Sequence, residues 1–219
     1  MKTNGVVEAN EIRFKNEIES RGFVGYDHET DVKHLRVILK TRFLASRHYV
    51  HTHFPELGDN AWQSVIDKTD DAVKHYVRFY FLHGTPTNYH FEMENPDGMV
   101  HLLFDYNICH KENSYFSNGN AGSQYTRYMK VCDYFEDGDN FLDLDHIFHR
   151  GPISDNRNYT VWARNAELLV REPVYLDNLV KIVFRTQEAM DRFWSSIDDV
   201  RIRRKYKRIS VVDESFFCR

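Results

Sequence analysis

The chain has 219 residues but only three cysteines, and it contains no long apolar run. Cys109, Cys132 and Cys218 are widely spaced and odd in number, which favours a reducing compartment over a disulfide framework. No CxxC pair occurs, which argues against a thiolate zinc site. No apolar stretch approaches membrane-spanning length, and the N-terminus lacks the apolar centre of a signal peptide. We therefore expect a cytoplasmic protein with no membrane partner.

The commonest nucleotide, hydrolase and zinc-protease motifs are also missing. The sequence has no P-loop, GxGxxG, GxSxG or HExxH. The acidic run from Asp133 to Asp145 lacks the spacing of an EF-hand, so we expect a solvated loop there. His48, His51 and His53 have no carboxylate or cysteine at ligand spacing and lie in an expected loop, so we expect no metal.

The charge balance excludes a protein that is basic overall, because the formal net charge is -4. Six of the eight residues from Arg201 to Arg208 are nevertheless basic, and Arg203 and Arg204 lie at the centre of this run. Such a run is either a phosphate-contacting stripe or a solvated face. The 16 Phe and 13 Tyr serve mainly as core, although some rings can stack on nicotinamide or an unstacked base.

The apolar patterning predicts a single α+β domain over residues 1–219. The predicted helices span residues 8–20, 32–39, 61–75, 121–134, 142–149 and 187–197, with Thr30 or Asp31 capping the second. The predicted strands span residues 23–26, 76–82, 90–93, 99–106, 167–175, 179–184 and 209–212. Because strands and helices do not alternate regularly, a doubly wound sheet is not expected. An N-terminal helical extension of about 1–22 and a basic C-terminal segment of about 200–219 flank the domain.

Three polar side chains in the first quarter of the chain could bind a dinucleotide. His28 can donate to a ribose or carboxamide, and Thr30 offers a hydroxyl beside a helix start that suits phosphate. Arg47 could hold a diphosphate bidentately. Each also has an ordinary explanation, namely an exposed histidine, a capping threonine and a surface arginine.

Tyr80 and Glu167 belong to two apolar segments. If Tyr80 points away from Phe79 and Phe81, its ring could stack on nicotinamide; otherwise the aromatic strand is core packing. Glu167 opens the apolar run Glu167–Val170, where a carboxylate at the edge of a buried pocket could hold a ribose hydroxyl or act as a base. By itself Glu167 is equally a surface glutamate at the end of a strand.

Taken in order, these segments resemble the DarT family, toxins that transfer ADP-ribose from NAD onto nucleic-acid bases. The resemblance extends over roughly residues 23–185. Its motifs are Asp27-His28-Glu29-Thr30, Phe43-Leu44-Ala45-Ser46-Arg47, Tyr76-Val77-Arg78-Phe79-Tyr80-Phe81, Phe116-Ser117-Asn118-Gly119-Asn120-Ala121 with Thr126-Arg127, and Ala166-Glu167-Leu168-Leu169-Val170.

The resemblance implies the ADP-ribosyltransferase fold, a split mixed sheet that clasps NAD as co-substrate. In that fold Glu167 is the catalytic glutamate, while Asn120 and Arg127 belong to the side of the target nucleic acid. The positions that would contact NAD around its nicotinamide are His28, Thr30 and Tyr80. The resemblance also implies the toxin of a toxin–antitoxin or phage-defence system, with an antitoxin as partner.

Two departures from the family pattern leave the target open. His83-Gly84-Thr85-Pro86-Thr87 replaces the family's Pro-Arg-x-Pro-Met sequence. The family also has an arginine before the aromatic strand that assists the target base, yet no arginine lies between Arg47 and Arg78, so Lys68 or Lys74 could substitute. The base, and the choice between single-stranded DNA and RNA, stay open. The alternatives are an ADP-ribosyltransferase that modifies protein and a catalytically inactive RNA-binding module.

Overall fold

A computed structural model of the chain describes residues 4–57, 69–138, 140–151 and 156–218. The helices are α1 Asn4–Ser20, α2 Val32–Thr41, α3 Arg47–His53, α4 Pro86–Glu94, α5 Val131–Asp137, α6 Leu144–Ile147, α7 Arg157–Ala163, α8 Gln187–Ser195 and α9 Val200–Tyr206. The strands are β1 Tyr26–Asp31, β2 Phe43–Leu44, β3 Tyr76–Tyr80, β4 Met99–Phe104, β5 Tyr115–Ser117, β6 Tyr128–Lys130, β7 Glu167–Arg171, β8 Val174–Tyr175, β9 Leu179–Phe184 and β10 Ser210–Val212. Among these helices, none is long and apolar enough to cross a bilayer.

Eight of the described strands form one mixed sheet in the order β10-β9-β4-β1-β3-β7-β5-β6. The β10–β9 pair is parallel and the other pairs are antiparallel. Within the described residues, β1 and β3 share a single registered pair, Asp27 with Tyr80, whereas β1 and β4 pair along the whole of β1. The sheet therefore splits between β1 and β3, which confirms the expected α+β architecture with a split mixed sheet.

The two faces of the sheet carry different cores. On one face the aromatic and aliphatic strand residues pack with Phe14 and Ile18 of α1 and with Leu35 and Leu39 of α2. On the other face a smaller cluster forms where the C-terminal Phe216 and Phe217 cover Met99, Leu103 and Val183. The helix at the N-terminus thus packs into the main core, and the C-terminal segment closes the opposite face.

Local sequence signals identified several elements correctly. Helix α2 begins where expected, because the Asp31 carboxylate accepts a hydrogen bond from Lys33 N at 2.7 Å and caps it. The predicted strands at residues 99–106 and 179–184 correspond to β4 and β9. The predicted helix at residues 61–75 lies mostly outside the described residues, and its described end contains the short 3-10 helix Val73–His75.

The strand expected at residues 90–93 is wrong, because these residues lie in α4. Thr85 caps the start of this helix. Its hydroxyl accepts a hydrogen bond from Asn88 N, and the Asn88 side chain accepts one from Thr85 N at 2.8 Å. Pro86 at the first helical position completes this capping arrangement. The backbone at residues 90–93 is thereby committed to a helix despite the alternating apolar residues.

The helix expected at residues 121–134 is also wrong over its first half. Asn118 Oδ1 accepts from Arg127 N at 2.9 Å, and Asn120 Oδ1 accepts from Gly122 N at 2.8 Å. These side chains hold the segment as a loop that leads into β6, and a helix starts only at Val131.

Four further boundaries or assignments need correction. The predicted strand at 23–26 is β1, which begins at Tyr26, and the predicted strand at 167–175 is divided into β7 and β8. The acidic run from Asp133 to Asp145 is not a loop throughout, since α5 and α6 occupy its two ends. The histidine-bearing segment is helix α3, because the Ser46 hydroxyl caps it by accepting from Tyr49 N at 3.2 Å.

Candidate active site

The split in the sheet opens a cleft between β1 and β3. His28 Nδ1 donates a hydrogen bond to the carbonyl oxygen of Arg78 at 2.9 Å, which links the two strands across the split. Thr30 and Arg47 also line this cleft. Burial lowers the pKa of His28, so the imidazole is neutral and its Nε2 is an acceptor. The structure therefore brings together three of the four residues predicted to bind NAD.

Glu167 is fully buried at the start of β7, where it lies directly opposite Tyr80 on β3. Both of its carboxylate oxygens accept from one guanidinium: Arg78 Nε donates to Oε2 at 2.9 Å, and Nη2 donates to Oε1 at 2.6 Å. The Arg78 side chain remains 22% exposed. Burial alone would lower the pKa of Arg78, but the charge and hydrogen bond of Glu167, together with Tyr80 and Tyr128, raise that pKa above its ordinary value. The pair is a charge-assisted bidentate contact.

The loop that follows β5 holds the Arg78–Glu167 pair from a third side. Asn120 Oδ1 accepts a long hydrogen bond from Arg78 Nη2 at 3.4 Å, and the Ser117 hydroxyl accepts from Glu167 N at 3.0 Å. Gly119 is required in this loop, because a Cβ atom there would lie 2.1 Å from the Trp162 ring. The close approach of Trp162 fixes the loop against the carboxylate.

Tyr80 lies on the same face of the sheet as Glu167, since directly paired antiparallel residues project to one side. Phe79 and Phe81 are buried in the core on the opposite face, which confirms the predicted alternation. Burial and then the Glu167 charge raise the pKa of Tyr80, so its phenol is neutral. In the described part of the chain Tyr80 is beside the carboxylate rather than among the residues that line the His28 cleft.

Comparison with known proteins shows which family has this architecture. The sequence matches the family model for the ssDNA thymidine ADP-ribosyltransferase DarT over residues 28–217. The chain belongs to the DarT family. This membership confirms the prediction of an NAD-dependent ADP-ribosyltransferase, and α1 lies outside the matched residues.

Solved structures of DarT proteins share the fold. Thermus sp. 2.9 DarT in complex with ADP-ribosylated ssDNA is 14% identical, with a TM-score of 0.68 over 88% of this chain and 95% of that one. The same protein in complex with NAD+ is 14% identical, with a TM-score of 0.66 over 90% of this chain and 98% of that one. Thermosipho africanus DarTG in complex with ADP-ribose is 15% identical, with a TM-score of 0.65 over 88% of this chain and 50% of that one. No curated protein matches the sequence.

The predicted nucleic-acid contacts of this DarT-family chain do not form one surface. Asn120 follows β5 and contacts Arg78, whereas the Arg127 side chain lines a separate polar cavity beside α1. Arg203 and Arg204 lie on α9, which leads into β10 at the opposite edge of the sheet from β5 and β6. Only Asn120 therefore lies at the Glu167 carboxylate.

Sequence analysis missed Arg78, although a signal for it exists. In the strand Tyr76–Tyr80, Arg78 lies two residues before Tyr80, so the two side chains are on the same face of the sheet. A basic residue on the face away from Phe79 can form an ion pair with a carboxylate of the neighbouring strand. Of the lysines considered as substitutes for the missing family arginine, Lys74 lines the cleft and pairs with Asp71 at 2.8 Å, and Lys68 lies outside the described residues.

A second buried polar cluster lies on the same sheet face. His101 Nδ1 is 2.8 Å from Asp27 Oδ2, and Glu29 is the cross-strand partner of His101. Glu92 of α4 accepts from Arg185 Nη2 at 2.6 Å. Burial raises the pKa of Glu29 to about 8. Burial would lower the pKa of His101, but the charge and hydrogen bond of Asp27, together with Glu92 and Glu29, raise it to about 10.

Proposed function

We propose that this chain transfers ADP-ribose from NAD to a base of single-stranded DNA, with Glu167 as the catalytic carboxylate. The observation that carries the proposal is the position of Glu167, which is buried on the strand next to β3 and is held by Arg78, a residue that lines the cleft at the split. The related Thermus sp. 2.9 DarT binds NAD+ and has been seen with ADP-ribosylated ssDNA, which supports the donor and the target.

The reaction is a displacement at the anomeric carbon of the nicotinamide ribose. The bond from this carbon to the nicotinamide nitrogen breaks, nicotinamide leaves with the electron pair, and a nitrogen of the target base forms the new bond. The Glu167 carboxylate stabilises the oxocarbenium-like centre through the 2′-hydroxyl and accepts the proton that the attacking base loses. A carboxylate suits both tasks because it carries negative charge at neutral pH.

The cleft residues provide the contacts that the donor needs. His28, neutral and with Nε2 as an acceptor, and the Thr30 hydroxyl would hold the amide and ribose next to the reacting carbon. Arg47, on the same cleft, would bind the diphosphate. Tyr80 beside Glu167 would bound the nicotinamide pocket. NAD bound in this way would have its reacting carbon near Glu167, at the start of β7.

Arg78 takes the place of the arginine that the family carries before the aromatic strand. It contacts both oxygens of Glu167 and also Asn120, so it lies between the donor side and the target side. A carboxylate has about four lone-pair positions, of which Arg78 uses two. Since Glu167 has no exposed surface and Arg78 is 22% exposed, NAD binding requires Arg78 to shift and open the carboxylate. Arg78 is thus a positioning residue for Glu167.

The target base would approach from the loop that carries Asn120. This loop contacts Arg78 directly, and a base must leave its stack to reach the anomeric carbon, which favours a single strand. Arg127 could contact phosphates farther along the strand from its separate cavity. RNA remains the alternative target, because the residues at the carboxylate do not themselves distinguish the two sugars.

The cellular role follows from the family. We assign the chain as the toxin of a toxin–antitoxin pair in the cytoplasm, with use in phage defence and a neutralising antitoxin as partner. The likeness to Thermosipho africanus DarTG and the reduced-compartment cysteine usage support this setting.

The direct test uses labelled NAD with a panel of single-stranded DNA and RNA homopolymers of equal length. We expect label to be transferred to at least one DNA homopolymer and nicotinamide to be released in equal amount. Label on added protein alone would instead indicate a protein-modifying enzyme. Tight RNA binding without nicotinamide release would indicate the inactive RNA-binding module. Either result would overturn the proposed function.

A further inference from the structure

Three ligand atoms converge at one buried point beneath the face of the sheet that carries Glu167. One ligand atom from each of Glu29, Glu92 and His101 lies within 4.8 Å of the other two. In the described structure Glu29 Oε1, Glu92 Oε1 and His101 Nε2 are buried and lack a hydrogen-bond partner, and Nε2 of His101 is 3.8 Å from Glu92 Oε1. The His101 and Glu92 side chains are 0% and 2% exposed. Polar atoms buried in this way normally have a partner.

The other polar atom of each of these side chains is already bonded. His101 Nδ1 donates to Asp27 Oδ2 at 2.8 Å, and Glu29 Oε2 accepts from Asn88 Nδ2 at 2.6 Å. The outer oxygen of Glu92, Oε2, accepts from the Arg185 guanidinium at 2.6 Å and from the backbone N of Cys218 at 2.7 Å. An imidazole that donates its second N–H to a carboxylate is the usual outer arrangement of a metal-binding histidine. These hydrogen bonds orient the three side chains and leave one buried polar atom of each without a partner in the described structure.

The charges of the cluster balance with a divalent cation. Asp27, Glu29 and Glu92 contribute three carboxylates and Arg185 one guanidinium, which leaves two negative charges when His101 is neutral. A divalent ion would neutralise these two charges.

We propose that Glu29, Glu92 and His101 bind a structural zinc ion. Two carboxylate oxygens and one imidazole nitrogen are three of the four ligands that Zn²⁺ usually takes, and bonds of about 2.0–2.2 Å require them to approach one another to about 3.4 Å from separations of up to 4.8 Å. The ion would join β1, α4 and β4. Through Arg185 and the Cys218 backbone it would also fix the C-terminal segment. Sequence spacing did not predict the site, because its ligands come from three separate elements.

The test loads the full chain with zinc and measures how much it retains. Protein stripped with a chelator is incubated with Zn²⁺ and desalted, and zinc is counted by mass spectrometry. We expect about one zinc per wild-type chain. Because ligand binding stabilises the folded state, the melting temperature should rise by about 5–10 °C at a hundredfold excess over the dissociation constant. Glu29→Gln and His101→Gln should each retain less than about one tenth of the wild-type zinc.

A matched control uses an exposed pair of the same residue types. Glu11 Oε1 lies 3.0 Å from His110 Nε2, with both side chains partly exposed, so Glu11→Gln and His110→Gln should retain zinc like wild type. Circular dichroism checks folding, and Glu29→Gln decides the question if His101→Gln does not fold. Wild-type protein that retains no zinc, or a folded Glu29→Gln variant that retains as much as wild type, would overturn the proposal.

Discussion

The two buried acidic groups on one face of the sheet differ in how their charge is compensated. Among the residues that the structure describes, the Glu167 carboxylate has one partner, Arg78, which makes two contacts and keeps 22% of its side chain exposed beside the cleft. Glu92 lies in a closed network in which Arg185 and a backbone N–H bind one oxygen and the other faces Glu29 and His101. A buried carboxylate alone therefore does not mark a catalytic site. The partly exposed partner beside the cleft distinguishes the first group from the second.

The largest effect that sharpens this contrast is expected for Arg78→Gln. It leaves a buried carboxylate without its counter-charge, so the free energy of unfolding should fall by about 3 kcal/mol. Transfer activity should also fall by at least about 10²-fold, because Glu167 is no longer positioned. Urea unfolding and labelling of the preferred oligonucleotide measure the two changes.

Double substitution separates a positioning role from a purely structural one. In Arg78→Gln/Glu167→Gln the unpaired charge is removed, so most of the lost stability should return while transfer stays absent. Arg171→Gln is the matched control. Arg171 lies on β7, the strand that pairs with β3, and its side chain is exposed. The contact described for its side chain is with the Tyr76 ring. If the double variant regained both stability and activity, Arg78 and Glu167 would be a purely structural pair, like Arg185 and Glu92.

A smaller effect is expected at the far edge of the sheet. Arg203→Ser/Arg204→Ser removes two charges from α9, which the strand order places away from Asn120 and Glu167. We expect labelling to change by less than about threefold and the salt dependence of DNA binding to keep its slope. A slope that falls by about two would show that both arginines contact phosphates, and the target strand would then run across the whole sheet.

Sequence patterning predicted the elements whose signals are local. Helix α2 has a capping aspartate and helical apolar spacing, and β7 is a continuous apolar run, so both were found. Helix α4 was missed because Phe91 and Met93 alternate like a strand, whereas the capping by Thr85 and Asn88 decides the backbone. Here the helix start outweighs the apolar pattern.

The candidate site was predictable only where one strand or one motif defines it. The roles of Glu167 and Tyr80 were predicted from the family resemblance, because strand position alone left each with an ordinary explanation. The structure places the two residues directly opposite each other. The Arg78–Glu167 contact depends on the register of two strands that are far apart in the chain, and register is set by the whole sheet. The cluster of Glu29, Glu92 and His101 needs three elements at once. Such pairings are not encoded in any short segment.

Replacing Glu167 by glutamine tests the central claim most directly. Glu167→Gln keeps the shape and one acceptor for Arg78, whose side chain is 22% exposed and can still contact water, so the variant should fold. Its melting temperature should lie below that of wild type, because Arg78 loses its counter-charge. Transfer of label from NAD to single-stranded DNA should fall by at least about 10²–10³-fold, while the exposed Glu112→Gln should label normally. A folded Glu167→Gln variant that labels DNA at the wild-type rate would contradict the assignment of Glu167 as the catalytic carboxylate.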